Sequence, residues 1–361
     1  MAKKYLFCYV SYMDLYDGIE LEKNTPFGGG SFVAQEGKGM EEHNFTNYNG
    51  KCYGYVRNPG LFKLERLDAA ASNSPCVHDV TIVWCAPRPK GDVVIVGWYE
   101  HATLFREGKY LFNGAGLGYE SYYICQTNAE DAYLLAEKDR IFIVPRAAKS
   151  GKGKGFGQQN YWYADGEWAR SEFVPKVEQF IATHKENTIN LIPQHFLHDF
   201  YSKEPVNQTL EEVDKLNVVD YLPRVYRMYN TNPSANLALA IAGELKMYYQ
   251  FDMAIEWCKK AVQLEGNQTD TLFLMAQMYL QLEEFDQALD CLERLKETGD
   301  YKLANNLANV YALASDVYWM SYKDDEAMKY LDMAITACTI AEETEHMKQV
   351  KENHLKELQN K

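Results

Sequence analysis

The sequence predicts an α+β protein in two parts: a strand-rich, curled or barrel-like mixed α/β domain over residues 1–186 and an all-α helical domain over residues 187–361. Three observations carry this. Residues 80–86 (Val-Thr-Ile-Val-Trp-Cys-Ala) and 93–99 (Val-Val-Ile-Val-Gly-Trp-Tyr) are β-branched runs bounded by Pro87, Pro89 and Gly91. Composition shifts near residue 186, from Gly, Tyr, Trp and Val to Leu, Ala, Glu and Met. Ala242, Phe251, Ala254, Cys258 and Ala261 are matched 34 residues later by Ala276, Phe285, Ala288, Leu292 and Leu295.

In the first part, the two β-branched runs are apolar on both faces, which predicts central strands covered on each side. Further strands are expected over 5–12, 52–57, 102–106, 121–126 and 140–144. Asn128 stands where an N-cap would open a short helix through Ala136, with Glu130 and Asp131 in its first turn. A longer helix over 167–184 closes the domain.

In the second part, Ala242, Ala254, Ala276 and Ala288 let paired helix backbones approach closely, while Phe251 and Phe285 fill the wedge beyond the turn. One such hairpin cannot bury its apolar face alone. A third copy follows at an offset of 39, where Tyr279, Ala288, Leu292 and Leu295 correspond to Tyr318, Ala327, Leu331 and Ala334. The extra residues lie either in the connection at 299–306 or in the first helix of the third unit. Residues 341–358, charged and helix-favouring, read as a solvated capping helix. This pattern, over about residues 235–340, resembles the tetratricopeptide repeat, and the resemblance implies docking of a protein partner. Ala238 and Leu272 stand where that family has Trp, and Gly266 and Asp300 where it often has Pro.

The formal net charge of −14 is uneven, with −2 on residues 1–186 and −12 on residues 187–361. That excludes a nonspecific nucleic-acid coat, yet leaves room for a local basic site in the first half. Eight cysteines form no CxxC pair and read as reduced thiols of a cytoplasmic protein. Eight scattered histidines form no HxxxH pair, so no zinc, other metal or cofactor is expected. No signal peptide or transmembrane segment is expected, and with it no membrane partner.

A second resemblance covers most of the first 165 residues. Thr25-Pro26-Phe27-Gly28-Gly29-Gly30-Ser31-Phe32, Glu42-His43-Asn44-Phe45, Tyr53-Gly54-Tyr55-Val56, Leu64-Glu65-Arg66-Leu67, Val83-Trp84-Cys85-Ala86, the run Val94 to Tyr99, and Gly155 to Ala164 follow in order. Together they resemble the N-terminal domain of bacterial and phage HNH-endonuclease proteins. The resemblance implies an accessory recognition module in a restriction-related setting, because no His-Asn-His arrangement follows residue 186. More loosely, the domain resembles modified-base readers of the EVE/YTH/PUA-like kind.

Candidate site residues follow. Trp84, Trp98, Tyr99, Trp162 and Tyr163 lie on or beside expected central strands, where the rings either fill the core or sandwich a base. Gln158 and Asn160 carry amides suited to a base edge or to loop backbone. Lys138, Arg140, Arg146, Lys149, Lys152 and Lys154 form a basic strip that runs into Gly151, Gly153, Gly155 and Gly157. Arg106, Arg146, Lys149, Lys152 and Lys154 are the expected phosphate contacts, with a solvated hairpin tip as the alternative. Gly28, Gly29 and Gly30 read as a turn or a close approach to substrate. No catalytic residue is assigned; Glu42 and His43 are the candidates should the chain be an enzyme.

The sequence thus points to a non-catalytic recognition protein. The first domain is expected to bind a modified nucleotide, DNA or RNA, and the repeats a protein partner, in phage defence by analogy. An interaction adaptor with a purely structural first domain is the alternative, and a nucleotide- or nucleic-acid-processing enzyme the third reading. An acidic concave face on the repeats would suit a basic partner segment.

Overall fold

A computed structural model describes residues 3–16, 26–28, 40–58, 60–89, 91–111, 122–189, 191, 218–298, 304–320 and 322–360. The chain divides into two compact units, Met1–Gln194 and His195–Lys361. Among the described residues the first is strand-rich and the second is all helical.

In the first unit, β1 (Lys4–Tyr9), β2 (Lys51–Gly54), β3 (Cys76–Pro87), β4 (Val93–Tyr110), β5 (Tyr122–Asn128), β6 (Ala132–Leu135), β7 (Tyr161–Trp162) and β8 (Thr188–Ile189) form one sheet. Its order is β2-β5-β4-β3-β1-β7, with β6 joined to β4 and β8 to β6. β1 and β3 are parallel; the other ladders are antiparallel. Among the described residues two helices accompany it, α1 (Ala147–Ser150) and α2 (Val174–His184).

The β-branched runs are central, and alternation sends their side chains into two cores. Leu6, Cys8, Ile82 and Trp84 enter one, and Tyr5, Phe7, Val83 and Cys85 the other. The first core is completed by Tyr12, Tyr16, Phe45, Phe62 and Leu64 from segments outside the strands; the second by Val177, Phe180 and Ile181 of α2. β4 changes which core it faces along its length. Trp84 pairs with Gly97 while Cys85 pairs with Ile95, and Ile82 pairs with Tyr99 while Val80 pairs with Ala102. Each extra residue inverts the alternation. Val94, Val96 and Tyr99 therefore share one core, whereas Ile95 and Trp98 share the other. Among the described residues no ladder joins the outer strands β2 and β7, so along this path the sheet is open and bulged rather than a closed barrel.

Two local expectations are corrected. In place of a helix from Asn128 to Ala136 there is a single turn at Ala129–Asp131 followed by β6; Asn128 makes no side-chain cap bond, and Leu134 pairs with Gly97. Sheet pairing outweighs the local cap signal. Residues 140–144 form a looser edge, in which the Ile95 N–H donates to Phe142 O (3.0 Å) and the Val144 N–H to Val93 O (2.8 Å). Helix is found over 167–184, with a π-helical turn at Ala169–Phe173 just ahead of Pro175, whose ring nitrogen cannot donate.

The helical unit runs α3 (Val218–Thr231), α4 (Ala235–Met247), α5 (Phe251–Glu265), α6 (Thr269–Gln281), α7 (Phe285–Thr298), α8 (Ala304–Met320), α9 (Asp324–Ala337) and α10 (Ala341–Asn360). α4 with α5, α6 with α7 and α8 with α9 are the three hairpins. Their matched small residues Ala242, Ala254, Ala276, Ala288 and Ala327 are fully buried. The turns repeat as well. Tyr249, Glu283 and Tyr322 adopt φ of 59°, 59° and 58°. The next N–H in each donates five residues back, Gln250 to Leu245 O (2.9 Å), Glu284 to Tyr279 O (2.9 Å) and Lys323 to Tyr318 O (3.0 Å). This is the Schellman closure of a helix end, three times in register. α8 has 17 residues where α6 has 13, so the third unit's extra length lies largely at the start of its first helix; residues 299–303 lie outside the described residues. α10 caps the stack, burying Met347 against Leu331 and Ala334.

Candidate functional site

The aromatic residues expected to clasp a base do not form a pocket. Trp84, Trp98 and Tyr99 have no exposed surface, and Trp162 and Tyr163 are buried. They are also divided between cores, Trp84, Tyr99 and Tyr163 in one and Trp98 and Trp162 in the other. Trp84 meets Tyr99 edge-on at 5.3 Å, Trp98 stacks on Tyr133 at 5.5 Å, and Trp162 packs on Phe7 (5.2 Å) and Phe173 (5.3 Å). Gly54 is required here because a Cβ would collide with the Trp84 ring. The cause is the central position of β3 and β4, where both faces are covered.

Arg106 is likewise structural. Its Nε donates to Ser74 O (2.9 Å), Nη1 to Phe62 O (3.3 Å) and Glu65 Oε2 (3.4 Å), and Nη2 to Ala71 O (2.6 Å) and Ser72 O (2.8 Å). All five donors are used, which leaves none for a phosphate. Arg140 is also buried, donating to the carbonyls of Leu135, Met13 and Asp14.

The rest of the basic strip stays at the surface. Arg146, Lys149 and Lys152 are exposed and Lys154 is half-buried. Arg146 lies 4.9 Å over Tyr9 and Lys154 5.1 Å over Trp168, while Lys149 sits 3.8 Å from Asp92. Gly151, Gly153 and Gly155 have φ of 97°, 85° and 93°, and a Cβ on Gly155 would collide with Pro145 O. The loop is closed by the Ala147 N–H donating to Phe156 O (2.8 Å) and the Phe156 N–H to Pro145 O (3.1 Å). Gln158 is exposed beside it; Asn160 accepts the Tyr9 N–H through its backbone carbonyl. Gly28 has φ 85°, whereas Gly29 and Gly30 lie outside the described residues.

Glu42 is buried and His43 partly buried on a short 3-10 turn, with His43 Nε2 3.6 Å from Glu42 Oε1 and its Nδ1 3.3 Å from Thr46 Oγ1. Burial pushes His43 down to about 4, so the ring is neutral at physiological pH. Donor atoms of Glu100, His101 and Asp131 lie within 4.8 Å of one another, a possible set of cation ligands. Two of the three are already engaged: the Lys185 ammonium donates to Glu100 (2.8 Å), and His101 shares a proton with Asp79 (2.9 Å). The Asp79 hydrogen bond raises the pKa of His101, which favours imidazolium over a ligand nitrogen.

In the helical unit, a cleft of about 500 Å³ opens between α5 and α7, the second helices of consecutive hairpins. Val262, Met275, Tyr279 and Cys291 line it with apolar surface, and Gln263 and Gln287 add amides. Burial pushes the Cys291 thiol up to about 11, so it stays protonated. Lys259, Arg294, Asp286 and Asp290 supply the charge. Sequence reasoning missed this cleft, because its lining does not follow the 34-residue register. The available signal was the acidic pair Asp286 and Asp290, one turn apart on the exposed side of α7.

Residues 224–295 match the family model described as anaphase-promoting complex, cyclosome, subunit 3. The match falls within the helical unit and covers well under half of the chain. No curated protein matches the sequence. Among solved structures, the NMR structure of the first TPR domain of the human RPAP3 protein is similar over 35% of this chain and 95% of that one, at 15% identity and a TM-score of 0.30. No described helix is long and apolar enough to cross a membrane.

Proposed function

We propose that the chain is a protein-interaction adaptor whose helical repeats dock a partner protein. The observation that carries this is the threefold recurrence of one hairpin, with its left-handed turns and fully buried alanines in register. Such stacks spend their small residues on neighbour packing and present side chains of successive helices to a partner. Exposed apolar residues fit this use, with Met247 of α4 69% exposed. The test is affinity capture with the tagged full chain, compared with a Met247→Glu, Asp286→Lys, Asp290→Lys variant of unchanged circular dichroism. A partner enriched by the first and lost from the second is expected; no partner above a tag-only control sinks the reading.

A second reading keeps a nucleotide role for the strand-rich unit. What favours it is the loop 145–157, whose surface cations and positive-φ glycines suit phosphate oxygens. A base, modified or not, in DNA or RNA, would then meet Gln158 and Asn160 rather than the buried rings, and a place in phage defence would follow by analogy alone. Titration with a labelled oligonucleotide and with triphosphate at low salt tests it. Binding must fall when Lys149, Lys152 and Lys154 are replaced by Ala.

A further inference from the structure

The cleft between α5 and α7 has a charge pattern that selects among occupants. Its two cations are already matched. Lys259 donates to Glu256 (2.7 Å), and Arg294 donates to Asn267 (2.7 Å) and pairs with Asp290 (3.3 Å). Asp286, exposed at the start of α7, takes part in no ion pair among the described residues. The lining itself holds two cations and two carboxylates; with Lys259 drawn to Glu256 on its own helix and Arg294 to Asp290, the Asp286 carboxylate is left without a cation among the described residues, in a half of the chain that carries −12. An acidic occupant would be repelled, and a purely apolar one would strip water from Asp286 without replacing it. The floor of Val262 and Met275 is nevertheless apolar and asks for an apolar side chain. A volume of about 500 Å³ holds a few side chains rather than a helix.

We propose that this cleft binds a short basic and apolar segment of a partner protein, seating an apolar side chain on Val262 and Met275 and holding an adjacent Lys or Arg at Asp286 and Asp290. The assignment rests on the adaptor reading and names its docking surface and partner chemistry. It also separates recognition into two parts, an apolar anchor that sets affinity and a rim carboxylate pair that sets the sign of charge accepted.

The test uses the full chain and three fluorescein-labelled decapeptides: one of alternating Lys and Leu pairs, one with Glu for every Lys, and one with Ser for every Leu. Anisotropy should show the Lys/Leu peptide binding at least about tenfold more tightly than either control. Asp286→Asn with Asp290→Asn should weaken it about fivefold, as expected for two rim pairs, whereas Glu342→Gln with Glu343→Gln on α10 should change nothing. A photo-crosslinker at Gln287 should capture the peptide, and one at Gln277 should not. Equal binding of the Ser-containing peptide, equal loss from the α10 variant, or crosslinking from Gln277 alone overturns the cleft assignment while leaving the repeats as a docking unit. Absence of binding by all three peptides overturns it too, and the adaptor reading is then decided by the capture experiment.

Discussion

Asp316 gives the sharpest quantitative test of the helical unit. It lies on α8 facing the capping helix, and burial raises its carboxyl from 3.8 to about 6, with His346 of α10 acting in the opposite sense. That difference corresponds to roughly 3 kcal/mol between the two protonation states. The folded pKa lies above the unfolded one, so the favourable contribution is complete below about 4 and is lost as pH rises through about 6. At pH 7.5 the ionised carboxylate is therefore a cost. Asp316→Asn should stabilise the helical unit by about 1 to 3 kcal/mol at pH 7.5 and by nothing at pH 4. His354, which stacks on Trp319 at 3.6 Å and is held below its ordinary value by burial, titrates with the opposite sign. The difference between variant and wild type, rather than either pH profile, is thus the quantity to measure. Urea unfolding of the full chain by circular dichroism gives it, with hydrogen exchange placing the change on α8 and α10. A difference that is the same at both pH values would show that Asp316 carries no burial cost.

Three further outcomes follow from the same geometry. Glu283→Gly should raise stability by up to about 1 kcal/mol in urea melts, because a glycine adopts the left-handed turn without the steric cost an L-residue meets there; a loss would mean that the Glu283 side chain holds the turn. Trp98→Ala should cost the strand-rich unit about 3 to 5 kcal/mol, visible as a lowered thermal midpoint, since it empties a core site rather than a pocket; an unchanged midpoint with a lost ligand would restore the base-clasp role. Arg106→Gln should destabilise the same unit by roughly 2 to 4 kcal/mol, because several carbonyls lose their donor at once. An Arg106 variant of full stability and reduced oligonucleotide binding would reverse its assignment.

The helical half was the more legible because its information is local and repeated. Close packing demands a small residue at fixed offsets, and Ala242, Ala276 and the later alanines advertise it one by one. The turns were hidden, since Tyr249, Glu283 and Tyr322 share a conformation that none of their side chains announces. A glycine would have marked it. In the strand-rich half the central strands could be read because two covered faces require two apolar faces. The β6 segment could not, because the sequence Asn128 to Ala136 satisfies a helix cap locally and is claimed by a strand ninety-seven to ninety-nine only after the sheet assembles.

The site residues show the limit of residue type as a guide. A tryptophan on a central strand has the same letter whether its ring faces a ligand or a neighbouring strand, and the answer depends on bulges elsewhere. The extra residues in β4 decide that Trp98 faces α2 and that Tyr99 faces Phe45, at 5.4 Å, on the opposite side. A one-residue slip of this stretch of β4 against β3 would exchange those faces. Arg106 makes the same point for charge: its five donors are taken up by four carbonyls and the Glu65 carboxylate, all from residues 62 to 74, which only the fold brings to it. Surface charge that the backbone does not consume is what remains available for recognition, and that criterion keeps Lys149 and Lys152 in the loop and Asp286 in the cleft while removing the buried aromatics and Arg106.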